Sequence, residues 1–289
     1  MIDIIFSAGR LSIPILFAAY GGLLSERSGI ANIALEGCLM FSAFAAATTV
    51  ALSGSLSLGV VAGILASSLL SGLFAAVCIW GRGDQIVMGI GINLLVLGLI
   101  PVVNHALFGV TGSTPNLPAT LTFHAVWPFF VLAIAMGLGL EFLVSETRLG
   151  LRIVAAGENP AALITQGLSS RQVQLKAVVV GGLLTGVGGL YLSLCQGSGY
   201  VREMSAGRGF IALAAIILGG WKPIPTFFAA IFFALCDALQ IQLQGKQWGE
   251  WTFPNQLVQI LPYVITLVVL AFYTRKMVPP AAINRADFD

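Results

Sequence analysis

Gln85-Ile-Val-Met-Gly-Ile-Gly-Ile-Asn-Leu-Leu-Val-Leu-Gly-Leu-Ile100 carries no charged side chain, and the uncharged run that it opens continues to Leu140. A helix that crosses a bilayer needs about 20 predominantly apolar residues, so a tract of this length holds whole membrane spans. Residues 37–81 and 251–274 are likewise free of Asp, Glu, Lys and Arg. Of all 289 residues, 57% are hydrophobic and 9% charged. Soluble domains carry about 25% charged residues, and this composition argues against a water-soluble fold.

Apolar runs between charges and Gly/Pro breaks place helices near 4–24, 30–51, 56–80, 85–107, 125–144, 173–195, 207–220, 224–243 and 257–274. The fold class is therefore all-α, a polytopic integral membrane protein with about nine crossings. Met1 to Arg10 lacks the basic run that starts a cleavable signal, so its apolar stretch is expected to stay as the first span. An alternating path puts Arg27, Arg82, Arg148, Arg152, Arg171, Lys176, Lys222, Arg275, Lys276 and Arg285 on one side, ten of the fourteen basic residues. The positive-inside rule makes that side cytoplasmic, with the N-terminus outside and the C-terminus inside.

Closely spaced small residues, such as Gly59 with Gly63 and the run Gly181, Gly182, Thr185, Gly186, Gly188, Gly189, mark faces where helix backbones approach. Gly29-Ile-Ala-Asn-Ile-Ala-Leu35 aligns with Gly207-Arg-Gly-Phe-Ile-Ala-Leu213, and Asp84-Gln-Ile-Val87 aligns with Asn255-Gln-Leu-Val258 in the same order. One copy of each pair enters from inside and the other from outside, the pattern of an inverted internal repeat. The halves run about 11–107 and 173–274 within a single transmembrane domain spanning 1–289; chance similarity between Ala/Leu/Gly-rich segments is the alternative.

Four cysteines, Cys38, Cys78, Cys195 and Cys236, lie scattered in apolar runs and read as small buried hydrophobes. His105 and His124 are too far apart to make a metal site. The net charge of +2 is spread over separate loops, and nucleic acid is not an expected partner.

Residues 145–172 form the longest polar stretch, expected inside. Within it Glu158-Asn-Pro-Ala-Ala-Leu-Ile-Thr-Gln-Gly167 reads as a short helix: Asn159 at the cap, Pro160 at the first helical position, Ala161 following, and Gly167 just past the end. Two turns are not stable alone in water. Leu163 and Ile164, near Arg148, Arg152 and Arg171, suit docking on a soluble protein, and equally a helix folded back on the parent's own cytoplasmic ends.

Leu24-Ser-Glu-Arg-Ser-Gly-Ile-Ala-Asn-Ile-Ala-Leu-Glu-Gly37, Thr147-Arg-Leu-Gly-Leu-Arg152, Gly157-Glu-Asn-Pro-Ala-Ala162 and Ala206-Gly-Arg-Gly-Phe-Ile-Ala-Leu-Ala-Ala215 resemble the permeases of nucleoside and simple-sugar ABC importers. The resemblance runs from about Leu11 to Tyr273, and is to the shorter of the two related permeases of nucleoside systems. It implies a heterodimer with a second permease in a bacterial cytoplasmic membrane, cytoplasmic ATP-binding subunits, and an extracytoplasmic binding protein, often a lipoprotein. It also implies that Glu158, Asn159, Pro160, Ala161, Leu163, Ile164 and Gly167 belong to a coupling helix that meets the ATPase. ATP and Mg would be bound by that partner, and this chain would hold no cofactor.

An acid inside the membrane costs at least roughly 2.5 kcal/mol on insertion scales, so it needs a partner or a watery cavity. Glu36 lies four residues after Asn32, which puts both on one helix face. They line a solute path, or Glu36 caps or bridges a broken helix around Gly29 and Gly37. Asp237, Gln240 and Gln244 make a polar stripe facing the path or the packed interior, and Asn93 is a lining residue or an interhelical hydrogen-bonder. Arg202, Glu203 and Arg208 sit where a binding protein would dock, or are simple interfacial charges.

The sequence contains no Gly-x-x-x-x-Gly-Lys-Ser/Thr loop, so ATP hydrolysis is expected in a partner. An ion-coupled secondary transporter would share inverted repeats and embedded acids but would not need the punctuated helix at 159–167. An embedded enzyme lacks support, with no paired carboxylates and no nucleophile beside a base. The resemblance orders the solutes as nucleosides, then ribose-like sugars, then riboflavin.

Overall fold

The computed structural model describes residues 2–244 continuously, and beyond them 247–248, 251–252, 264, 267–268, 271 and 278–283. Among residues 2–244 ten α-helices follow one another: α1 Ile2–Arg27, α2 Leu35–Ser53, α3 Leu56–Ile79, α4 Gln85–Phe108, α5 Trp127–Glu146, α6 Arg148–Glu158, α7 Pro160–Thr165, α8 Ser170–Tyr191, α9 Arg208–Leu218 and α10 Pro223–Leu243. A π turn, Leu192–Gln196, prolongs α8, and the two-residue strands Gln247–Trp248 and Trp251–Thr252 pair after α10. Local chemistry sets the boundaries. The Asp84 carboxylate accepts from the Ile86 and Val87 amides at the start of α4, and Gly54 and Gly109 close α2 and α4 in the left-handed conformation.

Seven described helices are long and apolar enough to cross a membrane. The chain is a multi-pass, all-α membrane protein. The apolar windows of α2 and α8 are 72% buried and that of α1 67%, whereas α5 is buried over only 17%, so α1, α2 and α8 form the centre and α5 the rim. Leu138 and Phe142 of α5 and Leu94 and Val102 of α4 point outward, as they must where hydrocarbon replaces water as the solvent.

Glycines let α8 lie against three helices at once. A Cβ on Gly181 would stand 2.4 Å from Gly21 O of α1; one on Gly182 would meet Ser71 Cβ of α3 at 2.7 Å; one on Gly189 would meet Leu39 O of α2 at 2.4 Å. Lipid tails give apolar helices no reason to cluster, so such backbone contact supplies the attraction.

Three sequence expectations change. The span expected at 207–220 is α9, eleven residues and so about 16 Å long, half of the roughly 30 Å hydrocarbon core. The residues 197–207 that precede it are not helical. Arg148–Glu158 forms a separate amphipathic helix within the stretch expected to be a polar loop. Gly29 and Gly207 both have positive φ, but Gly207 caps α9 directly whereas Gly29 lies five residues before Ala34, the cap of α2, so the aligned copies are not in one structural register. Of the span expected at 257–274 only residues 264, 267–268 and 271 are described, and the copy at 255–258 lies outside the described residues.

Candidate functional site

Two non-helical segments, 28–34 and 197–207, lead into α2 and α9, and the starts of these two helices meet through one side chain. At this junction sits Glu36, 8% exposed and in the first turn of α2. One carboxylate oxygen accepts from Ser205 Oγ and from the Gly207 amide at 2.9 Å; the other accepts from the Gly209 amide at 2.7 Å. The first amides of a helix lack intrahelical acceptors and carry the positive end of its dipole, so an anion is stabilised there. The carboxylate is thus shared between the beginnings of two helices. Glycine at 209 permits it: an added Cβ would stand 2.5 Å from Glu36 N.

Asn93 binds the other side of the same junction. Its Oδ1 accepts from the Gly37 amide at 2.8 Å and its Nδ2 donates to Ile33 O at 2.9 Å. A buried polar side chain joining two backbones satisfies groups that have no water to turn to.

Asn32 is fully buried but not helical, because α2 starts only at Leu35. The expected shared helix face with Glu36 therefore does not form. Its Oδ1 accepts from Ala34 N at 3.2 Å, a local turn that competes with helix, and its Nδ2 has no partner. Asp237 and Gln240 are half-buried on α10, and Gln244 is exposed at its C-cap. Arg208, whose Nη1 donates to Met204 O at 3.1 Å, lies in the field of Asp237 and Glu36 together. Arg202 and Glu203 are exposed and 3.5 Å apart, a surface pairing of little energetic weight.

The segment 197–202 is zipped to the α4–α5 connection. Thr114 N donates to Tyr200 O at 3.0 Å, Tyr200 N donates to Thr114 Oγ1 at 2.9 Å, and Leu117 N donates to Ser198 O at 2.8 Å. At the opposite end of the bundle, the Trp221 indole donates to the buried carboxylate of Glu26 and so ties the α9–α10 turn to the end of α1. Sequence reasoning singled out neither Glu26 nor Ser205. Glu26 carried a signal, an acid at the end of an apolar run; Ser205 carried none.

α7 confirms the short helix but changes its cap. Pro160 occupies the first position, the Gly167 amide donates to Ile164 O with φ 72 at Gly167, and the Leu168 amide donates to Leu163 O. Asn159 makes no side-chain cap bond; its amide instead donates to Ala155 O and closes α6. Leu163 is buried on the parent chain at 3% exposure while Ile164 is 52% exposed, and Glu158, Asn159 and Ala161 are exposed as well. One face of α7 is folded back, the other is open.

A family model described as branched-chain amino acid transport system / permease component matches residues 4–270. The nucleoside ABC transporter permease protein NupC of Lactococcus lactis subsp. cremoris is 32% identical, over 94% of this chain and 92% of its own length. The guanosine ABC transporter permease protein NupQ of Bacillus subtilis is 30% identical, over 93% and 91%. A putative glucose ABC transporter permease protein of Haloferax volcanii, TsgC13, is 29% identical over 92% of each chain. No solved structure matches the chain.

Proposed function

Given that this chain belongs to the family of branched-chain amino acid transport system permease components and is an ABC transporter permease subunit, we propose that the solute it carries is a nucleoside. Near end-to-end likeness to a nucleoside permease is the observation that carries this reading. It is a transport subunit and not an enzyme; ATP and Mg are bound and consumed by a partner ATPase. A second related permease completes the pore, and an extracytoplasmic binding protein delivers solute to the outer mouth. The cytoplasmic side is the one that holds α6 and α7, with the N-terminus outside and the C-terminus inside.

Transport proceeds by alternating access between two inverted halves, about 11–107 and 173–274. The outward-facing end of α7, with Asn159, Ala161 and Ile164 exposed, receives the ATPase. Glu36 and Asn93 hold the broken helices together, and Asp237, Gln240 and Gln244 line the path beside Arg208. An amide-rich junction in which the buried Asn32 Nδ2 donor has no partner suits a solute rich in hydroxyl and ring-nitrogen acceptors. A simple sugar is the second reading, favoured by the likeness to the glucose permease.

The test is uptake of labelled uridine, adenosine and guanosine, against ribose, glucose and riboflavin, into liposomes holding this chain with its partner permease, ATPase and binding protein. ATP-dependent uptake of nucleosides alone is expected. ATP-dependent uptake of sugar alone moves the assignment to the second reading, and uptake driven by an ion gradient without ATP overturns the importer mechanism.

A further inference from the structure

Residues 28–34 are tethered from two sides. Gln85 Oε1 accepts from Ala31 N at 2.7 Å while Gln85 Nε2 donates to Gly29 O at 3.3 Å, and Gln174 Nε2 of α8 donates to Ser28 O at 3.1 Å. Asn93 takes Ile33 O. Buried backbone outside a helix needs its polar groups satisfied within protein, and three side-chain amides do this here. They fix the shape of the segment, but they do not explain Gly157.

A Cβ added at Gly157 would stand 2.2 Å from Arg27 O and 3.1 Å from Gly29 N. One added at Gly29, where φ is 94, would stand 3.3 Å from Gly157 Cα. The two backbones therefore touch, with Ala282 beside them: its Cβ would stand 3.0 Å from a Cβ at Gly29 and its amide donates to Gly157 O at 2.7 Å. Gly157 is the penultimate residue of α6, three positions ahead of Pro160, the first residue of α7. Close-packed protein transmits displacement instead of absorbing it. A shift of α7 that carries the end of α6 must push or draw Arg27 and Gly29. From there the connection is continuous: Ile33 O to Asn93, Asn93 to the Gly37 amide, and Gly37 to its neighbour Glu36, which holds the start of α9.

We infer that the backbone contact between Gly157 and Gly29 is the relay through which the cytoplasmic loop moves the helix-break junction, with both glycines and Gln174 as positioning residues. The inference rests on the importer reading, in which α7 meets the ATPase. The relay is a physical coupling of two sites through one element, 28–34, that both ends bias.

The test uses the assembled complex in liposomes, reading labelled uridine uptake and ATP hydrolysis from the same vesicles. Gly157→Ala adds one methyl at the contact; Gln174→Leu cuts one tether without added bulk; Gly139→Ala on α5, where a Cβ meets nothing within 4 Å, is the control. In Gln174→Leu the expected result is normal assembly and ATP hydrolysis with uptake per ATP reduced about tenfold, the size of a typical coupling between distant sites; Gly157→Ala, whose methyl lands 2.2 Å from Arg27 O, is expected to lower uptake per ATP at least as far. Should Gly157→Ala fail to assemble, Gln174→Leu decides. An unchanged ratio of uptake to hydrolysis overturns the relay and leaves the importer reading standing, and so does a parallel fall in both activities, which marks a structural contact only. Uridine uptake by the unaltered complex that ignores ATP overturns the importer reading, and the relay with it.

Discussion

Glu36 accepts three hydrogen bonds from groups that cannot turn elsewhere: one hydroxyl and two backbone amides at a helix start. Glu36→Gln keeps the length but presents an NH2 where a carboxylate oxygen now accepts, so at least one donor is orphaned. A buried unsatisfied group costs about 1–3 kcal/mol. The complex is expected to assemble, to melt at a lower temperature in detergent, and to carry solute more slowly; an unaltered melting curve removes Glu36 from its bridging role. Gly209→Ala is expected to be the harsher change, because its methyl would press on Glu36 N and Cα at 2.5 and 2.6 Å. At this scale the sequence announced that Glu36 and Asn93 need partners, since an acid or amide in an apolar run cannot stand alone. It could not name those partners: the amides of residues 207 and 209 lie over 170 positions away, and backbone donors carry no signature in composition.

α7 divides its apolar residues between two surfaces. Leu163→Asp would bury a charge at a site 3% exposed, and is expected to lower yield and stability of the chain itself. Ile164→Asp, at 52% exposure, is expected to leave the chain folded and to reduce copurification of the ATPase. If both variants behave alike in that assay, α7 is not the docking element. Long helices were legible because charge gaps and Gly/Pro breaks bound them: 56–80 was expected against Leu56–Ile79 observed, and 85–107 against Gln85–Phe108. α9 was not, because an apolar run does not reveal whether the depth before it is crossed by helix or by extended chain. α6 escaped notice because its polar face makes 148–158 read as loop.

The α4–α5 connection, zipped to 197–202, lies at one end of the bundle and α6 and α7 at the other. With Cys195, the half-buried native cysteine, replaced by serine, a cysteine placed at Asn116 is expected to react with a membrane-impermeant maleimide added to sealed cells, and one at Gln166 only after permeabilisation; the native cysteines Cys38, Cys78 and Cys236 are buried. The reverse pattern inverts the assigned orientation. The glycine seam along α8 also bears on how this protein can drift genetically. Every nonsynonymous base change in a glycine codon inserts at least a Cβ, and at Gly181, Gly182 and Gly189 that carbon lands 2.4 to 2.7 Å from an atom of a neighbouring helix. No single-nucleotide step out of those codons avoids the collision, so a saturating library under selection for uptake should return those codons changed only at their silent third base.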